Sequence, residues 1–118
     1  MQIIKITPGS SYSQHKIMQK TKIYFPKHKK KIGSDYIITS REMNYIISIN
    51  RNTIRIIFSD ESTEENYRQI REYIELLFNN NSINIHSASY QDVEWLKNIK
   101  NVKINFFINK NKKVIKNI

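Results

Sequence analysis

The chain has 118 residues, of which 39% are hydrophobic, and a formal net charge of +10, so it has room for one domain with one hydrophobic core. It contains no cysteine, which excludes disulfides, thiolate metal sites and cysteine nucleophiles. No apolar run approaches the roughly 20 residues of a membrane span, and residues 1–6 are too short for a signal peptide, so we expect a protein that neither crosses a membrane nor is secreted.

The first 44 residues contain three segments that predict short strands, at residues 2–6, 21–25 and 35–39. Pro8-Gly9 and Gly33 mark turns beside the first and third of these segments. Pro26 stops the second segment, because proline cannot donate a hydrogen bond to a strand ladder. Residues 10–19 are polar and are compatible with either a short helix or an arm.

The clearest pattern lies in the middle of the chain. Residues 45–49 and 53–58 are rich in β-branched and aromatic residues around a turn, which predicts a β-hairpin. A helix over residues 62–79 follows, because Ser62 and Glu65 fit a capping box. Its apolar residues recur at helical spacing and predict a core-facing stripe of Tyr67, Ile70, Ile74, Leu77 and Phe78.

The remaining elements complete an α+β pattern: a strand at residues 83–87, a short helix at about 90–99 and a strand at 102–108. The short helix would bury Val93, Leu96 and Ile99, with Trp95 at the core edge. We therefore expect a mostly antiparallel sheet with the main helix and the short second helix packed on one face, and with basic N- and C-terminal extensions. Within this single domain, we assign residues 1–44 to a basic arm and strands, 45–108 to the α+β core and 109–118 to a basic tail.

Basic and acidic residues are separated along the chain. Residues 1–58 carry a net charge of +9, residues 59–96 carry −6, and residues 97–118 carry +7 with no acidic residue. The abundance of Ile, Asn and Lys indicates an AT-rich genome, such as that of an organelle, an intracellular parasite or a virus, and this bias adds lysines by itself. It does not explain why lysines gather at both ends, so we expect basic ends that meet a polyanion.

The cations of the two ends are the candidate binding residues, because ammonium groups neutralise phosphates along a nucleic-acid backbone. We predict RNA contacts for Lys16, Lys20, Lys22, Lys27, Lys29, Lys30, Lys31, Arg41, Lys110, Lys112, Lys113 and Lys116. A solvated loop is the alternative for the lysines of residues 27–31. Tyr12, Tyr24 and Phe25 are interleaved with the N-terminal lysines and are able to stack on unpaired bases, but core packing is the favoured interpretation.

Little in the sequence indicates catalysis, and we expect no enzymatic activity, no cofactor and no metal. The two glycines are too few for the glycine-rich motifs that bind nucleotide phosphates. His15, His28 and His86 have no carboxylate or second histidine at metal-ligand spacing, and nuclease chemistry by His28 or His86 is kept as an alternative. One acidic cluster is explained by helix capping, with Mg²⁺ binding as the alternative, and consists of Asp60, Glu61, Glu64 and Glu65.

The segment 41–80 has characteristic residues at fixed places: Arg41-Glu42 before the hairpin, Ser59-Asp60-Glu61 after the second strand, Arg68 in the helix and Asn79-Asn80 at its end. In this order it resembles a module of the sixth large-subunit ribosomal protein family, bacterial and organellar type. The resemblance implies a ribosomal protein. The family's module occurs twice and its C-terminal RNA-binding stretch is rich in glycine. One copy and no such stretch are present here, so no RNA-contacting residue is carried over.

We therefore expect a structural RNA-binding protein, a component of a mitochondrial or cytoplasmic ribosome whose partners are rRNA and neighbouring ribosomal proteins. Its phosphate contacts would be largely independent of base sequence and sensitive to salt. The alternatives are a small viral or phage protein that binds a host nucleoprotein or a nucleotide, a small nuclease, and an accessory subunit of an organellar complex.

Overall fold

The computed structural model describes residues 2–9, 11–26, 29–39, 43–108 and 113–116, without the side chains of Lys29 and of residues 113–116. In chain order, the elements are β1 (Gln2–Pro8), α1 (Gln14–Tyr24), β2 (Lys29–Ile32), β3 (Asp35–Ile38), β4 (Tyr45–Asn50), β5 (Thr53–Phe58), α2 (Glu64–Phe78), β6 (Asn81–Ser87), β7 (Val102–Ile108) and β8 (Lys113–Lys116). Two short 3-10 turns, Tyr90–Asp92 and Glu94–Leu96, lie between β6 and β7.

These strands form one sheet in the order β2-β3-β4-β5-β1-β6-β7-β8. Every neighbouring pair is antiparallel except β6 and β7, which are parallel. The predicted α+β class with a mostly antiparallel sheet is therefore confirmed. The first strand lies in the middle of the sheet, because β1 pairs with β5 on one side and with β6 on the other.

The two helices cover one face of the sheet, and the hydrophobic core lies between the helices and the sheet. Side chains alternate between the faces of a strand, and the fully or almost fully buried strand residues of the covered face include Ile6, Ile47, Ile56, Ile85 and Phe106. We call the opposite side of β1, β4, β5, β6 and β7 the open face. No helix of the described residues packs on it.

The prediction of a strand at residues 21–25 is wrong, because this segment belongs to α1. Ser13 caps the helix by accepting a hydrogen bond from the backbone N–H of Lys16 at 3.1 Å. Ile17 and Met18 are buried against the sheet and α2. Packing of this apolar stripe outweighs the strand propensity of the local sequence, and α1 becomes the second helix on the covered face.

The predicted main helix is confirmed as α2, with a one-residue change at its start. The cap is Thr63 and not Ser62, because Thr63 Oγ1 accepts from the Asn66 backbone N–H at 3.3 Å. Asn66 Oδ1 in turn accepts from the Thr63 N–H at 2.8 Å, so the capping box uses Asn66 where Glu65 was expected. The predicted apolar stripe belongs to the core or packs against it.

The predicted helix at residues 90–99 is wrong, because two 3-10 turns occupy the segment. Val93 lies between them with φ of −126° and ψ of 2°, which interrupts regular helical geometry. Val93 and Leu96 are nevertheless buried as predicted. Trp95 packs at the core edge, with its ring centroid 5.5 Å from that of Phe58, so apolar burial was predicted better than backbone conformation.

The predicted basic extensions are not confirmed. The described N-terminal lysines lie on β1, α1 and β2, which are ordinary elements of the fold. In the segment predicted as a basic tail, residues 113–116 pair with β7 as β8, with Val114 opposite Phe107. The other residues of that tail, 109–112 and 117–118, lie outside the described residues.

Candidate nucleic-acid interface

A row of side chains crosses the open face from β4 to β7. Cross-strand pairs join Ser48 to Arg55, Arg55 to Lys5, Lys5 to His86, and His86 to Phe107. Each of these residues alternates with buried residues along its strand, so its side chain points to the open face. This central row therefore places two cations, an imidazole and an aromatic ring side by side.

Lys5 and Arg55 are directly opposite each other on β1 and β5. Directly opposed side chains have Cβ atoms about 5 Å apart, and like charges in such a pair are destabilising. On the open face from β4 to β7, Lys103 is a further cation and no aspartate or glutamate is present among the described residues. A bound anion would relieve the repulsion, so this surface suits a polyanionic ligand.

The rings of His86 and Phe107 are stacked, with centroids 5.0 Å apart and 16° between their planes. Both side chains are half-buried, and the Thr7 hydroxyl lies 3.5 Å from Nε2 of His86. Burial and, to a smaller extent, the positive charge of Lys5 lower the pKa of His86. The lowered pKa favours the uncharged imidazole, and the pair is a π stack on the open face.

The central row except Ser48 lines a groove with a volume of about 730 Å³. Ile3 lines the groove and is 50% exposed. It pairs with Ile57, which pairs in turn with Ile46, so an apolar strip runs beside the central row. A charged and aromatic floor beside an apolar strip suits a ligand that has both a negative charge and a flat apolar part.

A second, more polar recess lies at the turn between β4 and β5. Lys31, Arg51 and Arg55 line it, and Arg55 lines the groove as well. Asp35 on β3 accepts a hydrogen bond from the amide of Asn50 at this end of the sheet. The two depressions therefore share Arg55, with Lys5 on one side of it and Lys31 and Arg51 on the other.

Lys16 and Lys20, predicted as RNA contacts, flank the ring of Tyr12, with Nζ 5.7 and 5.9 Å from its centroid. The Lys20 ammonium also donates to the Leu77 carbonyl at 3.5 Å. Leu77 belongs to the last turn of α2, which has no basic residue of its own. A cation there offsets the negative end of the helix dipole, so Lys20 has a structural role in joining α1 to α2.

The other predicted contacts are distributed over two elements. Lys22 is exposed on α1 and Lys30 is exposed on β2. Lys31 has its Nζ 5.6 Å from the ring centroid of Tyr36, and it is the predicted residue that the structure brings next to Arg55. The remaining predicted residues lie outside the described residues or have side chains that do: Lys27, Lys29, Arg41, Lys110, Lys112, Lys113 and Lys116.

The aromatic residues near the N-terminal lysines belong to the core, as the favoured interpretation of the sequence has it. Tyr12 and Phe25 are buried, and Tyr24 is packed against the core. The hydroxyl of Tyr12 donates to the carbonyl of Leu77, which ties this residue to α2. The rings of Tyr12 and Phe25 are therefore not available to stack on bases.

The acidic side chains at the start of α2 are engaged in ion pairs. Glu64 pairs with Arg71 at 3.0 Å, and Glu65 pairs with Arg68. Within the described ranges, no group of three His, Cys, Asp or Glu side chains is placed to hold a metal ion. Among the described helices, none combines the length and apolar character that crossing a membrane requires.

Sequence reasoning missed the central row. Its residues come from five strands spread between Lys5 and Phe107, and none belongs to a lysine cluster. The signal that could have found them is strand alternation, since each lies at a position between buried residues. Combining them also requires the strand order, in which β1 lies between β5 and β6.

Comparisons of the chain with protein families, curated proteins and solved structures found no match. The resemblance of residues 41–80 to the ribosomal family therefore stays a prediction. The chain's own residues, above all those of the open face, are the basis of the proposed function.

Proposed function

We propose that this protein is a structural RNA-binding protein, and that the open face is its main contact surface. The observation that carries this proposal is the opposition of Lys5 and Arg55 in the central row, next to stacked His86 and Phe107. Two opposed cations without an acidic neighbour on that face from β4 to β7 favour binding of an external anion, and the phosphates of a nucleic acid provide one. The function is binding and not catalysis, because the surface offers charge and stacking and no paired acid and base.

The assembly we propose is a ribosome, mitochondrial or cytoplasmic, in which the partners are rRNA and neighbouring ribosomal proteins. Support comes from the net charge of +10 and from the resemblance of residues 41–80 to a ribosomal family. Phosphate contacts position a protein on RNA without reading its sequence, which fits a structural component. Sedimentation of the tagged protein with ribosomal subunits tests this part, and its absence from purified subunits would overturn it.

The RNA contact is tested with two charge-matched variants. Lys5→Gln/Arg55→Gln removes one lysine and one arginine from the open face, and Lys97→Gln/Arg68→Gln removes the same two charges from ion pairs with Glu94 and Glu65. Fluorescence anisotropy of a labelled RNA over a series of KCl concentrations gives the affinity and its salt dependence. We expect the first variant to lower the slope of log K against log salt by about 1.4–1.8, because each lost phosphate contact removes about 0.7 for a single strand and about 0.9 for a duplex.

The matched control is expected to keep nearly the full slope. Equal losses in the two variants would mean that net charge and not the open face drives binding, and would contradict the proposal. A free mononucleotide that binds as tightly as RNA would favour the alternative of a viral or phage nucleotide-binding protein. Cleavage of the RNA that disappears in His86→Ala would favour the nuclease.

A further inference from the structure

We propose that stacked His86 and Phe107, with Lys5 and Arg55 beside them, form a subsite for an unpaired base and its flanking phosphates in single-stranded RNA. This inference rests on the proposed function and adds the conformation of the RNA that the open face takes. The bound RNA is single-stranded, with its base on the aromatic pair and its backbone along the cations.

The aromatic pair has the geometry of a stacking platform. Phe107 is half-buried on a face that no described helix covers. Full burial of a phenyl ring would contribute more hydrophobic free energy to folding. The plane of the Phe107 ring is within 16° of the His86 plane and the ring centroids are 5.0 Å apart, so the two rings are stacked on each other and a base can extend the stack on an outer ring face. Bases stack on such side chains when they are not paired within a duplex.

The cations are placed for the backbone of the same strand. Along the central row, Lys5 is next to His86 and Arg55 is next to Lys5, so positive charge begins one strand from the aromatic pair. Neighbouring strands are about 4.8 Å apart, and a base on the rings thus has phosphate partners within a short reach. Beyond Arg55, the recess with Lys31 and Arg51 adds two further cations.

Two other occupants fit this surface less well. An A-form duplex keeps its bases stacked inside, so it offers phosphates to Lys5 and Arg55 but no free base to Phe107. A second copy of the chain would bring its own Lys5 and Arg55 against the same cations, and like charges there repel. The charge and the rings together therefore favour a single strand.

The first test uses the wild-type protein and two probes of equal length. One is a single-stranded RNA with a fluorescent adenine analogue, and the other is the same strand annealed into a blunt duplex. We expect tighter binding of the single strand and a change in analogue fluorescence when its base stacks on the protein. Equal binding of the two probes, or no fluorescence change in a bound strand, would overturn the inference and leave the proposed function standing.

The second test separates stacking from charge. Phe107→Leu is expected to weaken binding of the single strand about 5- to 150-fold, with an unchanged salt slope, whereas Phe107→Trp keeps the affinity. The matched control is Tyr24→Leu, which changes another half-buried ring at the α1–α2 contact and is expected to leave affinity unchanged. Equal affinity of wild type and Phe107→Leu would contradict the subsite.

Two further readouts make each outcome decisive. Thermal melts followed by circular dichroism show whether a variant is folded; should Phe107→Leu fail to fold, the wild-type probes and Phe107→Trp still test the inference. Sedimentation velocity of the free protein tests the self-association alternative, and a dimer broken by Phe107→Trp or Lys5→Gln would overturn the single-strand proposal. If the wild type binds neither probe at any salt concentration, the proposed function itself fails.

Discussion

Lys5 and Arg55 are like-charged neighbours on two paired strands in the middle of the sheet. A cross-strand pair of like charges contributes unfavourably to folding, so this pair has a cost in the free protein. The positions are nevertheless occupied by cations, and on the same face of strands β4 to β7 the described residues include no acid that would compensate. Removal of one of the two charges should therefore raise the stability of the free protein and weaken RNA binding.

We expect Lys5→Gln to raise the free energy of unfolding of the free protein by about 0.2–1 kcal/mol at low salt, and to weaken RNA binding. Urea unfolding at low and high KCl concentration measures the first effect, which should shrink as salt screens the repulsion. Lys103→Gln is the control, because Lys103 pairs with Ser82 and not with a cation. A loss of stability in Lys5→Gln would show that no repulsion is relieved.

The titration of His86 depends on the same lysine. Burial and the Lys5 charge lower the pKa of His86 from its usual value, so NMR titration of the folded protein should give a midpoint below about 6.5. Lys5→Gln should move that midpoint upward, because it removes the charge that opposes protonation. A midpoint that stays in place after the substitution would contradict this account of the electrostatics.

The lowered pKa of His86 also gives the sign of a stability change with pH. Since the unfolded chain binds the proton more readily than the folded protein, His86 stabilises the fold fully above its unfolded pKa. This contribution is lost as pH falls through the folded pKa. Urea unfolding between pH 7.5 and 5 should therefore show a smaller decline in His86→Gln than in wild type, whereas parallel curves would rule the contribution out.

A hydrogen bond between Thr21 and Tyr73 joins the two helices. The hydroxyls are 2.7 Å apart, and Tyr73 is fully buried. Thr21→Val keeps the shape of the side chain but leaves the Tyr73 hydroxyl without this partner, so we expect a loss of about 1–3 kcal/mol in the free energy of unfolding.

The double variant Thr21→Val/Tyr73→Phe should lose less than Thr21→Val alone, because it removes both hydroxyls and leaves no unpaired one. Urea unfolding of the wild type, the two single variants and the double variant gives the coupling energy. Additive losses would mean that the two hydroxyls do not interact.

Gly9 lies where the end of β1 approaches β6. Its backbone N–H donates to the Ser82 carbonyl at 2.8 Å, and a Cβ at Gly9 would overlap the Ser82 hydroxyl and lie 3.1 Å from the Ser82 carbonyl carbon. We expect Gly9→Ala to lower the free energy of unfolding by about 1–3 kcal/mol. Adding Ser82→Ala should recover part of the loss, and thermal melts that show Gly9→Ala as stable as wild type would contradict this close approach.

Sequence reasoning was most accurate where local pattern and tertiary packing agree. The β4–β5 hairpin and α2 have strong local signals, and the structure confirms both. Residues 21–25 show the opposite case: their β-branched and aromatic side chains favour a strand locally, but burial of Ile17 and Met18 holds them in α1. Local propensity amounts to a few tenths of a kcal/mol per residue, which apolar burial readily exceeds.

The candidate site was less accessible to sequence reasoning than the fold. Lysine clusters drew attention to the ends of the chain, and of these residues Lys31 is the one described beside the Arg55 recess. The residues of the central row occur singly in the sequence. Each residue forms part of the candidate site only through its neighbours on adjacent strands. The sequence of a single strand does not show which residues those neighbours are.

The sequence by itself determined the α+β class, the hairpin, the core-facing stripe of the main helix, and the excess of positive charge. Periodicity and composition are local properties, and they are sufficient for these conclusions. Tertiary structure alone decided that β1 lies between β5 and β6, and thereby that Arg55, Lys5, His86 and Phe107 share one row. The physical reason is that strand order depends on how the apolar faces of all strands and helices pack together. That packing also brings together the surface residues on which the proposed function depends.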